Sequence, residues 1–138
     1  MRTFAAVFVA MHGLGHLVWL FVALTPVVLG KQGRAMVEER RRALLVDPST
    51  AGGKLVGVLA ITVIGGFLAS AWGIWFESSW WPVTLIPSAV ASLVIVTAMW
   101  NPIKAPGPVT LSVRALLADV GLAAATLMPW GERLLGAR

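Results

Sequence analysis

Residues Thr3–Leu29, TFAAVFVAMHGLGHLVWLFVALTPVVL, run without a single Lys, Arg, Asp or Glu. A helix needs roughly 20 apolar residues to cross a bilayer, and this run exceeds that length. Midway along it lie the chain's only histidines, His12 and His16, in His12-Gly13-Leu14-Gly15-His16. Ionisable groups at such depth are costly, and each is a functional candidate by default. Four residues apart, they project about 40° from one another on one helix face.

Three further apolar segments follow. With the first, they give helices over about 3–29, 54–76, 81–100 and 109–128 in a single 138-residue transmembrane domain. A spanning strand needs only about 10 residues, half of what each segment offers, and the alternation of a membrane barrel is absent. The fold read from the chain is therefore all-α: an antiparallel four-transmembrane-helix bundle, helices 1 and 4 adjacent. Pro26 is expected to kink or end the first helix, and Pro87 to kink the third. The first segment is longer than the 7–15-residue core of a signal peptide and reads as a retained helix.

Composition points the same way. Apolar residues make up 58% of the chain and charged ones 12%, with a mean hydropathy of +0.84. Water-facing domains carry about 25% charged residues. The absence of cysteine excludes disulfides, thiol chemistry, iron–sulfur clusters and cysteine zinc sites. The net charge of +5 collects in loops, which favours the anionic membrane surface over nucleic acid as partner.

Lys and Arg in short loops set orientation. Lys31, Arg34, Arg40, Arg41, Arg42, Lys54, Lys104 and Arg114 lie toward one side, against Arg2, Arg133 and Arg138 on the other. The expectation is a bacterial inner-membrane protein with loop 30–53 cytoplasmic and both termini outside. Arg40, Arg41 and Arg42, in a stretch that reads either as a surface-lying helix or as a solvated loop, would meet anionic headgroups. Trp72, Trp75, Trp80, Trp81 and Trp130 would form an aromatic belt on one boundary, and Trp100 would mark the other.

Helices in lipid associate through small residues that let backbones approach. Gly53, Gly57, Gly65, Ala69 and Gly73 repeat at four-residue spacing in the second helix, Ser88 and Ser92 in the third, and Gly121 and Ala125 in the fourth. This stripe would serve the bundle or a homodimer.

Asp119 falls near the middle of the fourth helix. With helices 1 and 4 antiparallel it would reach His12 and His16 and form one buried polar cluster, while Arg114 snorkels toward the interface. Three uses of the cluster compete. His12, His16 and Asp119 could bind a proton or a small substrate. His12 and His16 could ligate a divalent metal, with Asp119 as a third ligand. A haem would need an axial ligand from elsewhere, because both imidazoles project from one face. The structural alternative has the histidines hydrogen-bonding to backbone, Ser88, Ser92 or Asp119 and holding the bundle together. No cofactor is required by any motif. No nucleophile triad, Walker loop or dinucleotide fingerprint occurs, so no residue is assigned a catalytic role.

The HGxxH pattern of His12, Gly13 and His16, followed by three more apolar segments, resembles a loose set of small bacterial four-helix membrane proteins. Some of these are labelled permease-like and some are grouped with the DoxX-like proteins. The resemblance implies the four-helix layout and no particular activity. The expected function is that of a small non-enzymatic membrane protein, either an accessory subunit of a larger complex or a carrier of small lipophilic or cationic molecules. The alternative is a haem- or metal-binding redox protein built on His12 and His16.

Overall fold

A computed structural model describes residues 2–28, 46–47, 50–99 and 110–128. These are all-helical, with no strand among them: α1 (Arg2–Gly15), α2 (Leu17–Val28), α3 (Ala51–Trp75), α4 (Trp81–Met99) and α5 (Thr110–Leu127). Three stretches are long and apolar enough to cross a membrane, Arg2–Phe21, Ala51–Trp75 and Trp81–Met99. Helix α5 carries Arg114 and Asp119 within its 18 residues. Position 40 and its neighbours Arg41 and Arg42, with Trp100 and Trp130, lie outside the described residues.

The first expected helix is two. Its break falls at His16, while the helical backbone of α2 continues through Pro26 to Val28. At the break, the His16 N–H bonds to the carbonyl of Gly13, only three residues back (3.1 Å), and Trp19 N–H bonds to His16 O (3.0 Å). Two glycines flank this tightened turn, and glycine is the poorest helix former after proline. Pro87, likewise, sits inside a continuous α4. The Ser88 hydroxyl bonds to the Thr84 carbonyl at 2.7 Å.

Helix α3 begins at Ala51, earlier than expected, because Thr50 caps it. The Thr50 side chain accepts a hydrogen bond from Gly53 N–H at 3.2 Å, the standard way to satisfy an orphan donor in the first turn. Its other end closes with Ser78 N–H on Gly73 O (2.9 Å) and Glu77 N–H on Ile74 O (3.4 Å). That paired closure requires a left-handed residue, and Glu77 supplies it with φ 57°. Glu77 also forms an ion pair with Arg2 at the start of α1.

Helix α3 is the hub. It packs against α1, α2 and α4, and α5 packs against α4. Helices α1 and α5, expected to be adjacent, are not among the pairs in close backbone contact. They meet through the side chains of His12 and Asp119 instead. The core is a seam of Val9, Val63, Phe67, Ile74, Leu85, Ala89 and Ile95. Between α3 and α4 a polar thread crosses it: Ser70 donates to Gly66 O at 2.7 Å and lies 2.7 Å from the Thr84 hydroxyl.

Outside the core the apolar character does not fade. Phe4, Val83 and Leu127 are at least 70% exposed, whereas Asp119, Ser92 and Ser70 are fully buried. Large exposed apolar faces, with buried polar groups inside the apolar core, are the reverse of what a water-facing surface needs.

The small-residue stripe on α3 divides. A Cβ on Gly73 would stand 2.6 Å from Trp81 Cβ, so Gly73 does bring two helices together. At Gly65 nothing lies within 4 Å, and its neighbour Gly66 packs instead, under Ser88. Gly53 and Gly57 are buried and Ala69 is half-buried. The cause is geometric: at about 100° per residue, a four-residue repeat drifts about 40° per step and leaves the contact face within a few turns. Gly121 likewise has open space around it. Trp72, Trp75 and Trp80 stay exposed at one end, but Trp81 is buried against Gly73 and does not belong to that belt.

Candidate functional site

The site begins with the break between α1 and α2. With the His16 N–H turned to Gly13, the His12 carbonyl receives the His16 imidazole, Nδ1 to O at 3.1 Å. A carbonyl only accepts, so Nδ1 carries the hydrogen and the ring is held in one orientation. Its other nitrogen, Nε2, is thereby aimed across the bundle at the Ser92 hydroxyl of α4, 2.5 Å away.

Ser92 in turn donates to Asp119 Oδ2 at 2.5 Å. The second carboxylate oxygen, Oδ1, lies 2.6 Å from His12 Nε2. The four side chains thus close a ring of contacts drawn from α1, α4 and α5 and the α1–α2 break. His12, His16 and Asp119 are brought together as a group whose ligand atoms all lie within 4.8 Å of one another. Asp119 and Ser92 are fully buried, and His16 is 2% exposed.

Ser92 joins the two halves of this ring. The sequence offered it as one of two serines able to meet a histidine. A helical serine can bond back to its own helix, as Ser88 does, and no sequence signal separates the two. Arg114, five residues before Asp119, is exposed.

Phe67 of α3 seals the site from behind. Its ring meets His12 edge-on at 5.0 Å and lies 5.8 Å from His16. Gly13 permits this approach, since a Cβ there would stand 2.6 Å from Phe67 Cβ. Phe8 stacks on His12 at 6.4 Å. Apolar walls lower the local dielectric and strengthen every polar contact inside.

The electrostatics of the ring are specific. Ser92 owns one hydroxyl hydrogen but makes two short contacts, one to Asp119 Oδ2 and one to His16 Nε2. If the hydrogen points to the carboxylate, the His16 contact brings two lone pairs together unless Nε2 is protonated. A proton on Asp119 Oδ2, with Ser92 then donating to His16, completes the ring as well, and so does another cation that takes the lone pairs of His16 and Asp119. With a carboxylate and neutral imidazoles the ring is one hydrogen short. For haem the arrangement is unsuitable: the imidazole centroids are 5.3 Å apart and edge-to-face at 79°, on one side rather than across an iron.

Compared with protein-family models, with curated proteins and with solved structures, the chain gives no match. The chemistry of the site carries the functional reading.

Proposed function

We propose that this chain is a small non-enzymatic integral membrane protein that holds a cation at the His12–His16–Asp119 cluster, halfway through its span. In this reading it is a carrier of small cations, or the cation-binding subunit of a larger membrane complex. Four antiparallel spans carry the site, with both ends of the chain outside and the Arg40–Arg42 stretch against anionic headgroups. The Arg2–Glu77 ion pair supports this threading, since it joins the start of α1 to the turn after α3. The exposed apolar faces support insertion in lipid.

One observation carries the cation: a fully buried carboxylate and the His16 imidazole share a single serine hydrogen across 2.5 Å contacts, with the His12 imidazole 2.6 Å from the same carboxylate. Buried charges persist only when paired. A cation at this place satisfies the lone pairs of His16 and Asp119 together.

The test is thermal unfolding of the purified protein in detergent against a panel of protons, alkali ions, small amines and divalent ions, with flux into liposomes as the second readout. A cation-dependent rise in the melting temperature that disappears in Asp119→Asn is expected. A melting temperature indifferent to every cation and to pH would remove the reading and leave a structural hydrogen-bonded core.

A further inference from the structure

We infer that the cation held at this cluster is a divalent transition metal of the zinc class, ligated by His12 Nε2, His16 Nε2 and Asp119 Oδ1. The inference rests on the cation-site reading above and narrows it to one chemical class.

Three features of the ring favour a metal over a monovalent or organic cation. The donors are two imidazoles and one carboxylate, a set that suits zinc, cobalt, nickel or iron and is poor for alkali ions, which prefer oxygen. The second feature is the support behind the ligands. A metal-binding histidine characteristically donates its other ring N–H to a carbonyl or carboxylate, which fixes tautomer and orientation. His16 does so already, Nδ1 to the His12 carbonyl at 3.1 Å. Asp119 is held likewise, with Ser92 on Oδ2 at 2.5 Å and Oδ1 turned toward His12.

The third feature is the hydrogen count. A metal on the Nε2 lone pair of His16 takes the place of the Ser92 hydroxyl, now 2.5 Å from that nitrogen, and Ser92 moves aside and keeps its hydrogen for Asp119 alone. Ser92 is then a positioning residue. Ligand atoms of a tetrahedral zinc stand about 3.3 Å apart, from bond lengths of about 2.0 Å. One donor atom from each of His12, His16 and Asp119 lies within 4.8 Å of the others, so the side chains must close by up to about 1.5 Å to reach that spacing. His12 Nε2 would exchange its hydrogen bond to Asp119 for the metal, leaving the fourth position open to water or cargo exchange. Protons compete for the same lone pairs, so metal affinity falls as pH falls.

The deciding experiment is titration of the purified full-length chain in detergent with Co2+, followed by competition with Zn2+. One Co2+ per chain is expected, with the intense visible absorption of a four-coordinate site in place of the faint pink of the aqua ion. Zn2+ should bleach that band. His12→Ala, His16→Ala and Asp119→Asn should each abolish it. Ser92→Ala keeps all three ligands, should keep the band, and should weaken Co2+ binding about 10–100-fold. Because ligand variants can misfold, the wild-type chain also decides: Zn2+ should raise its melting temperature, and EDTA should reverse the rise.

An aqua-type spectrum from folded wild type overturns the metal, and so does a band that survives in all three ligand variants. If that same wild type is stabilised by a monovalent ion, an amine or pH, the cation site stands and only its occupant changes. If nothing stabilises it, both readings fall.

Discussion

His12 Nε2 lies 2.6 Å from Asp119 Oδ1, 107 residues away in sequence, although the helices that carry the two residues make almost no close backbone contact. The pair therefore bridges the outer members of a row of helices centred on α3 and α4. Breaking it removes a link that backbone packing does not duplicate.

Asp119→Ala leaves His12 and Ser92 facing an uncompensated gap, and removing one partner of a buried pair costs about 3–5 kcal/mol. Asp119→Asn keeps an acceptor for His12 and an acceptor or donor for Ser92, so its loss is expected to be about 1 kcal/mol. Denaturant unfolding in mixed detergent should rank the two variants in that order. Equal losses would show that the carboxylate charge, rather than its hydrogen bonds, holds the cluster.

Gly65 and Gly73 are predicted to respond oppositely to alanine. Nothing lies within 4 Å of a Cβ at Gly65, so Gly65→Ala gains helix propensity, up to about 1 kcal/mol. At Gly73 the new methyl meets Trp81 Cβ at 2.6 Å and Cα at 3.3 Å. Backbone cannot step aside as a side-chain tip can, and overpacking costs about 1–3 kcal/mol. Paired thermal melts check this directly.

Phe67→Ala should destabilise by about 3–5 kcal/mol, the usual loss for a buried phenylalanine, since its ring is 0% exposed and packs on both imidazoles. Phe67→Leu should recover most of that stability without restoring the edge-on contact to His12. The imidazole NMR resonances of His12 and His16 should therefore shift in the leucine variant while the fold persists.

The described residues contain no cysteine, nor does the rest of the chain, so introduced thiols report without background. In whole cells an impermeant thiol reagent should label Glu77→Cys from outside, and Lys54→Cys only after the membrane is opened. The reverse pattern would invert the orientation. Arg2 and Glu77 keep 45% and 58% of their side-chain surface exposed, so their ion pair is worth under about 1 kcal/mol.

Glu77→Gly combines two opposed effects. Glycine relieves the left-handed backbone at φ 57°, a gain of about 0.5–1 kcal/mol, while the pair with Arg2 is lost. The net change should be within about 0.5 kcal/mol of zero, whereas in an Arg2→Ala background the same substitution should stabilise.

What the chain determined by itself is local. Length, apolar content and the placing of His12, His16 and Asp119 near the middle of their runs are sums along sequence. They suffice for all-helical segments with a polar group near the middle of a segment. The Thr50 cap is local too, its hydrogen bond closing within three residues, yet the sequence reading starts that helix at 54 and passes over it. The tertiary structure decided everything that depends on rotation about a helix axis or on distance between helices. It placed Gly66 rather than Gly65 at the α4 contact, chose Ser92 over Ser88 as the hinge of the ring, and moved the break from Pro26 to His16. A four-residue spacing fixes direction only to within a drift of about 40° per step, and a hydroxyl or imidazole takes whichever partner lies within about 3 Å. Both are settled by where neighbouring helices stand, which no single segment encodes.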